Sequence, residues 1–134
     1  MNRELILTAK APKAIGPYSQ GIAARFGDNG VSFIFASGQI PVDPKTAKIV
    51  EGGIAEQTRR CIQNLSAVLE SAGSSCAKVV KTTVFLKDMA DFEAMNTVYA
   101  EYFGTQPPAR STIAVSGLPL GSLIEIEAIA LSEI

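Results

Sequence analysis

The sequence is most informative in what it lacks, since its 134 residues include no histidine, no tryptophan and only two cysteines. Without histidine, the chain cannot form a Ser-His-Asp or Cys-His nucleophile system or a histidine-based metal site. Cys61 and Cys76 are too far apart for a C-x-x-C pair, and two cysteines give no disulfide framework. Most familiar hydrolase chemistry is therefore excluded, and Cys61 is expected to be a small buried apolar residue.

Cofactor motifs are missing too. The carboxylates show no D-x-D or EF-hand spacing that would hold Mg²⁺ or Ca²⁺. Neither a G-x-G-x-x-G sequence nor a Walker loop is present, so the phosphates of a nucleotide have no recognisable binding loop. The sequence therefore shows no recognisable motif for a metal or a nucleotide cofactor, although a cluster of carboxylates could still hold Mg²⁺.

Strong net charge and long apolar runs are absent as well. Lysine and arginine total 12 against 13 aspartate and glutamate residues, and a net charge of -1 gives no basic surface for nucleic acid. No apolar run approaches the roughly 18 residues of a membrane span, and residues 1–13 lack the apolar core of a secretory signal. These features predict a cytoplasmic protein, with a mitochondrial form left open, that binds neither nucleic acid nor membrane.

The elements that are present predict one α+β domain over residues 1–134. The apolar pattern has the helical period from Ile54 to Gly73, and again over residues 91–103. Residues 39–53 are expected to form an extended loop. Strands are predicted at 21–26, 31–38 and 78–87, and two more lie within 108–130 on either side of a Leu-Pro turn. The expected architecture is a mixed sheet with both helices packed on one face.

The second face of that sheet carries large apolar residues as well. In the last strand Ile124 and Ile126 share one face, while Glu125, Glu127 and Ile129 share the other. Two helices cannot cover both faces, and an uncovered second face would be an unusually large apolar patch for a monomer. We therefore predict an oligomer that forms through the second sheet face.

Two charged residues stand within these apolar strands. We expect Ile113 and Val115 to face the helices, which would leave Arg110 on the second face together with Glu125. A charge removed from water requires a partner, so Arg110 and a glutamate could pair and fix the assembly. Alternatively, the guanidinium could bind an anionic ligand, because its planar fork suits a carboxylate. The strand pattern alone does not decide between these two interpretations.

Further polar positions have both a structural and a functional interpretation. Tyr18 follows Gly16 and Pro17, and its ring either covers the core or lines a site. Ser37 and Gly38 end a strand, where a glycine either forms a bulge or lets a ligand approach the backbone. Asn96 lies in the second helix, where a solvated amide is the common case.

Four segments of the sequence resemble one family over nearly the whole chain. They are "APKAIGPYSQG", "FASGQIPVDPKT", "VVKTTVFLKDMADFEAMNTVYAEYF" and "PPARSTIAVSGLPLGSLIEIEAIA". Together they resemble the RidA or YjgF-like reactive intermediate deaminases, also labelled L-PSP endoribonuclease-like proteins. The resemblance implies a chorismate-mutase-like fold and a homotrimer whose sheets pack into a central barrel, with sites between subunits. It also implies cofactor-free hydrolysis of 2-imino acids and their enamine tautomers, such as 2-iminobutyrate and 2-aminoacrylate, to 2-keto acids and ammonia.

The resemblance also implies roles for individual residues. Arg110 of P-A-R-S would hold the substrate carboxylate, and Glu125, the first glutamate of E-I-E, would position or activate water. Glu127 is assigned by default to a structural pairing. The family often has cysteine two residues after the arginine, where this chain has Thr112. The other positions implied to contact the substrate are Tyr18, Ser37, Gly38 and Asn96.

The sequence also allows two other functions. One family label suggests a ribonuclease that inhibits translation, although the near-neutral charge and the lack of histidine count against it. The same pocket could instead serve a non-catalytic trimer that binds small carboxylates or acts like a chaperone.

Overall fold

The computed structural model of the protein describes residues 2–133. Met1 and Ile134, the two ends of the predicted 1–134 domain, lie outside the described residues. The strands are β1 (Asn2–Ile6), β2 (Gly21–Arg25), β3 (Val31–Gln39), β4 (Val42–Asp43), β5 (Lys48–Ile49), β6 (Val79–Leu86), β7 (Ala109–Ala114) and β8 (Ile124–Glu133). The helices are α1 (Ile54–Ser71) and α2 (Phe92–Phe103).

Six strands form the main sheet, in the order β1-β2-β3-β8-β6-β7. All neighbouring strands are antiparallel except β6 and β7, which are parallel. A parallel pair needs a crossover connection, and α2 provides it. The predicted α+β fold with a mixed sheet and two helices is confirmed.

One face of this sheet packs against the helices and forms the core. Cys61, Leu65 and Leu69 of α1 are fully buried, and so are Ile34 of β3 and Ile126 of β8. The three helix residues recur every fourth position, and buried residues alternate along β3 and β8, as packing between a helix and a sheet requires. The expectation that Cys61 is a buried apolar residue is therefore confirmed.

The opposite face of the sheet, called the open face here, carries exposed apolar side chains. Phe33 is 40% exposed, Phe35 44% and Ile113 48%. The rings of Phe33 and Phe35 lie side by side, with centroids 6.4 Å apart. An isolated protomer would leave this apolar surface in water, which is unusual for a monomeric protein.

The prediction for the faces of β7 was wrong. Strand β7 pairs with β6 so that Arg110 lies beside Thr82 and Thr112 beside Val84. Because Thr82 and Val84 are fully buried beneath the helices, Arg110 and Thr112 share the helix side. Ile113 accordingly belongs to the open face. Strand β7 forms one edge of the sheet, where a long charged side chain on the helix side can still reach water.

Three smaller features were not predicted. Strand β1 was missed because it buries only Ile6 and carries charged residues along an edge. The predicted loop 39–53 contains the short β4–β5 hairpin. An irregularity between Val79 and Lys81 turns Val80 outward, whereas regular alternation along β6 would place Val80 on the buried face with Thr82.

The loop between β1 and β2 is held by one buried amide side chain. Gln20 is 2% exposed, and its Oε1 accepts a hydrogen bond from the backbone N–H of Thr8 at 2.7 Å. Its Nε2 donates to the carbonyl oxygens of Thr8 at 3.0 Å and of Pro12 at 2.8 Å, and the carbonyl oxygen of Ala11 lies at 3.3 Å from it. One side chain therefore replaces the backbone pairing that this irregular segment lacks.

We predict that Gln20→Ala lowers the free energy of unfolding by about 1–3 kcal/mol, because several backbone groups lose their partner at once. Gln63→Ala is the matched control, since Gln63 is exposed on α1 and its replacement should have little effect. Urea unfolding at one fixed protein concentration measures both variants. Equal losses of stability would contradict this role of Gln20.

Candidate active site

The predicted site residues fall into two groups in the structure. The first group surrounds Glu125 on the open face, and the second surrounds Arg110 on the helix side. The first cavity, called the Glu125 pocket here, has a volume of about 440 Å³. Its lining residues are Ile15, Tyr18, Ser37, Gly38, Ile40, Pro119, Glu125 and Glu127.

A bulge in β3 makes room for the Glu125 carboxylate. Ala36 pairs with Ala128 of β8, but the next pair joins Gln39 to Ile126, so the β3 side contains one residue more. Gly38 lies in this bulge directly against Glu125. A Cβ atom on Gly38 would overlap the carboxylate and stand 2.9 Å from its Cδ. The glycine is therefore required by close approach of the glutamate side chain to the backbone.

Ser37 holds the loop that carries Tyr18 against the end of β3. The Ser37 Oγ donates to the carbonyl oxygen of Ser19 at 2.5 Å. The Ser37 backbone N–H donates to the carbonyl oxygen of Gln20 at 2.9 Å. The Tyr18 hydroxyl accepts a hydrogen bond from the N–H of Ile15 at 3.2 Å. The hydroxyl proton of Ser37 is thus already used within the protein, and the Tyr18 ring lies at the edge of the pocket.

The environment of Glu125 favours its protonated form. Partial burial raises the pKa of the Glu125 carboxyl, and the neighbouring Glu127 carboxylate raises it further. Within residues 2–133 the ion pair found is that of Arg59 with Glu101, so neither Glu125 nor Glu127 has a cationic partner there. The structural pairing expected for Glu127 is not seen in this part of the chain. A half-buried, unpaired carboxylate in a cavity has the character of a general base.

The Arg110 side chain is oriented by α2. Its Nη1 donates to Asn96 Oδ1 at 2.7 Å. The guanidinium carbon lies 4.8 Å from the centroid of the Tyr99 ring and 5.5 Å from that of Phe92, within cation–π range. The Tyr99 hydroxyl in turn shares a buried hydrogen bond of 2.7 Å with the Thr82 hydroxyl. Asn96 accepts from one of the five N–H donors of the Arg110 guanidinium, and the others can bind an anion.

Thr112 lies on the same side of β7 as Arg110. Its Oγ1 is buried and has no hydrogen-bond partner among residues 2–133. Thr112 lines neither the Glu125 pocket nor the cavity beside Arg110, which has a volume of about 380 Å³.

A single protomer does not bring the two groups together. Glu125 pairs with Phe85 and faces the open side, whereas Arg110 pairs with Thr82 and faces the helices. The expectation that Arg110 and Glu125 share a face was therefore wrong. Tyr18, Ser37 and Gly38 belong with Glu125, and Asn96 belongs with Arg110.

Sequence reasoning missed the aromatic partners of Arg110 as functional residues. In the sequence, Phe92 and Tyr99 fit the apolar side of the second predicted helix, which accounts for them without a functional role. Their spacing with Asn96, at positions i, i+4 and i+7, places all three on one helix face and could have indicated a shared role.

The acidic side chains and the helices bear on metal binding and on membrane insertion. Among residues 2–133 there is no group of three or more cysteine, aspartate or glutamate side chains placed to hold a metal ion. Neither helix in this range combines the length and the apolar character that a membrane span requires.

Comparison with known proteins identifies the family. The family model described as Endoribonuclease L-PSP matches residues 8–132. A RutC family protein of Pyrococcus abyssi is 56% identical over 133 residues, which cover 99% of this chain and 100% of that protein. The human 2-iminobutanoate/2-iminopropanoate deaminase is 45% identical over 129 residues, covering 96% of this chain and 90% of the human protein.

A solved structure agrees with the sequence relatives. The crystal structure of a putative endoribonuclease from Thermotoga maritima superposes with a TM-score of 0.88 at 50% identity and covers 98% of both chains. Because the family model and these relatives match almost the whole length, the chain belongs to the Endoribonuclease L-PSP family, the RidA or YjgF-like family that its motifs indicated.

Proposed function

We propose that the protein is a cofactor-free deaminase that hydrolyses reactive 2-imino acids, and their enamine tautomers, to 2-keto acids and ammonia. The observation that carries the proposal is the half-buried Glu125 carboxylate in its pocket, which has no cationic partner among residues 2–133. The oriented guanidinium of Arg110 supports it as a binding group for a carboxylate. The name of the human relative supports the same class of substrate.

The two halves of the site would meet between protomers. Arg110 lies on an edge strand and Glu125 on the opposite face of the sheet, so one substrate can contact both only if two copies contribute. The apolar open face provides the surface for such an assembly. A homotrimer with three inter-subunit sites is the assembly that the family resemblance implies.

The proposed reaction needs a fixed imine, a positioned water and a proton acceptor. Arg110 binds the substrate carboxylate, and the Glu125 carboxylate takes a proton from water as the water oxygen bonds to the iminium carbon. The product of this step is a neutral carbinolamine, with the proton on Glu125. Glu125 then returns that proton to the amine nitrogen. The C–N bond breaks as the carbinol oxygen forms the C=O bond, and the proton of that hydroxyl passes by way of the Glu125 carboxylate to the departing ammonia. One iminium ion and one water thus give a keto acid and ammonium.

The surrounding residues would position these groups. Asn96 fixes the guanidinium orientation, and the Tyr18 ring borders the place of the imine. The bulge at Ser37 and Gly38 offers backbone close to the substrate. Thr112 follows Arg110 by two residues on the same side of β7 but lines neither cavity of the protomer, so its contact with the substrate stays a prediction.

The ribonuclease that the family label names has less support from this chain. A net charge of -1 gives little attraction for a polyanion, and the sequence has no histidine for the usual acid and base pair. The absence of a nucleic-acid partner and the cytoplasmic location stay predictions.

We predict that Arg110→Ala lowers kcat/KM for imine hydrolysis by about 100-fold or more, because two charge-assisted hydrogen bonds to the substrate are lost. The imine is generated from threonine by a dehydratase in the presence of semicarbazide, and keto acid release is followed. Arg59→Ala is the control, since it removes an exposed arginine paired with Glu101. Light scattering should show an unchanged assembly. Dissociation of Arg110→Ala would support a structural role instead, and an unchanged rate would contradict the anchor.

We predict that kcat/KM rises with pH along an acid limb whose pKa is raised from the ordinary value of a glutamate. Glu125 must be ionised to accept a proton, and burial and Glu127 both raise its pKa. Removing the Glu127 charge lowers the pKa of Glu125, so Glu127→Gln should shift the acid limb to lower pH. Glu133→Gln, an exposed change on the same strand, should not shift it. Identical pH profiles for wild type and Glu127→Gln would contradict this electrostatic coupling.

A further inference from the structure

A second cavity adjoins the Glu125 pocket and is not used by the proposed reaction. It has a volume of about 280 Å³ and lies between the loop 12–20, the end of β3 and the β4–β5 hairpin. It shares four lining residues with the Glu125 pocket: Ile15, Tyr18, Gly38 and Ile40. We call it the side cavity.

The lining of the side cavity is largely apolar. Pro12, Ile40, Val42, Pro44 and Leu120 contribute to it. Of the polar lining residues, Gln20 has its amide engaged by the backbone of the N-terminal loop and Gln39 is buried at the end of β3. Lys13 is exposed, so its charge can stay in water. The chemistry of the cavity therefore suits an apolar group.

Two buried amides hold the walls of the side cavity in place. Gln20 fixes the loop that includes Pro12. Asn64 of α1 is fully buried, and its Nδ2 donates to the carbonyl oxygens of Ile40 at 3.2 Å and Val42 at 2.9 Å. The cavity is thus formed before any ligand enters, as binding pockets for small molecules usually are.

Resting on the proposed function, we infer that the side cavity binds the apolar substituent on C3 of the substrate. Gly38 lines both cavities and has no side chain to separate them, so a substrate reacting beside Glu125 can extend past Tyr18 into the side cavity. The volume of the side cavity is close to the lower limit of about 300 Å³ for small-molecule pockets, so the cavity accommodates an isobutyl or benzyl group. The preferred substrates are accordingly 2-imino acids with branched aliphatic, thioether or aromatic side chains rather than 2-iminopropanoate.

Filling the side cavity tests this assignment. Ala47 lines the side cavity but not the Glu125 pocket, so Ala47→Trp should occupy the cavity without touching the reacting groups. Leu120→Ala removes an apolar wall and serves as a second variant. Ala90→Trp adds the same bulk to an exposed alanine in the turn before α2 and is the control. Large imines are made from leucine and phenylalanine with an amino-acid oxidase and catalase, and small ones from serine with a dehydratase.

Burial of each methylene favours the larger substrate roughly fourfold, so complete burial of three additional carbons would favour it by about 60-fold, and partial burial by about tenfold. Ala47→Trp should lower kcat/KM for the leucine imine by about tenfold and leave that for 2-iminopropanoate nearly unchanged. Leu120→Ala should shift the ratio of large to small substrate in the same direction, and Ala90→Trp should not change it.

The activity of the wild-type protein distinguishes a wrong role for the side cavity from a wrong proposed function. If wild type hydrolyses the imines but Ala47→Trp and Leu120→Ala leave the ratio of large to small substrate unchanged, the side cavity is not the specificity site and the deaminase proposal stands. If wild type accelerates no imine, the deaminase proposal is wrong and the inference falls with it.

Discussion

The close approach of the Glu125 carboxylate to the backbone at Gly38 is the constraint on which the rest of the site depends. The β3 bulge provides the space, and the missing side chain lets the carboxylate lie against the strand. Ser37, the neighbouring residue of the bulge, fixes the loop of Tyr18 through its hydroxyl. The raised pKa of Glu125 follows from the same burial. The bulge in β3 therefore determines the Glu125 pocket, the position of the Tyr18 loop that borders it, and the raised pKa of the Glu125 carboxyl.

The other charged group is fixed by separate means. Helix α2 places Asn96, Tyr99 and Phe92 on one face, where a hydrogen bond and two aromatic rings orient the Arg110 guanidinium. This orientation is established before a ligand binds, which lowers the entropy that binding would cost. Because Arg110 and Glu125 face opposite sides of the sheet, assembly and catalysis are linked in the proposed mechanism. The apolar open face is then as necessary for the reaction as either charged residue.

Much of the fold follows from periodicity in the sequence, but the site does not. The helical period of α1 and the alternation in β8 are long and regular, so they predict the buried faces correctly. Strand β7 has only six residues, and its alternation allows either Ile113 or Arg110 to face inward. The register of pairing with β6 determines which residue faces the helices, and the sequence of β7 contains no information on that register. The bulge at Gly38 likewise depends on pairing with β8, so from sequence it is only one interpretation of a glycine.

The most direct test of the account is complementation between two inactive variants. Arg110→Ala and Glu125→Gln chains carry different affinity tags and are mixed under conditions of subunit exchange, which native mass spectrometry verifies. If each site takes Arg110 from one protomer and Glu125 from its neighbour, random mixing in equal amounts restores about a quarter of the sites, whatever the number of subunits. Deaminase activity should then return to about that fraction of wild type, while each variant alone stays inactive. Mixed assemblies with no recovered activity would contradict a site shared between protomers.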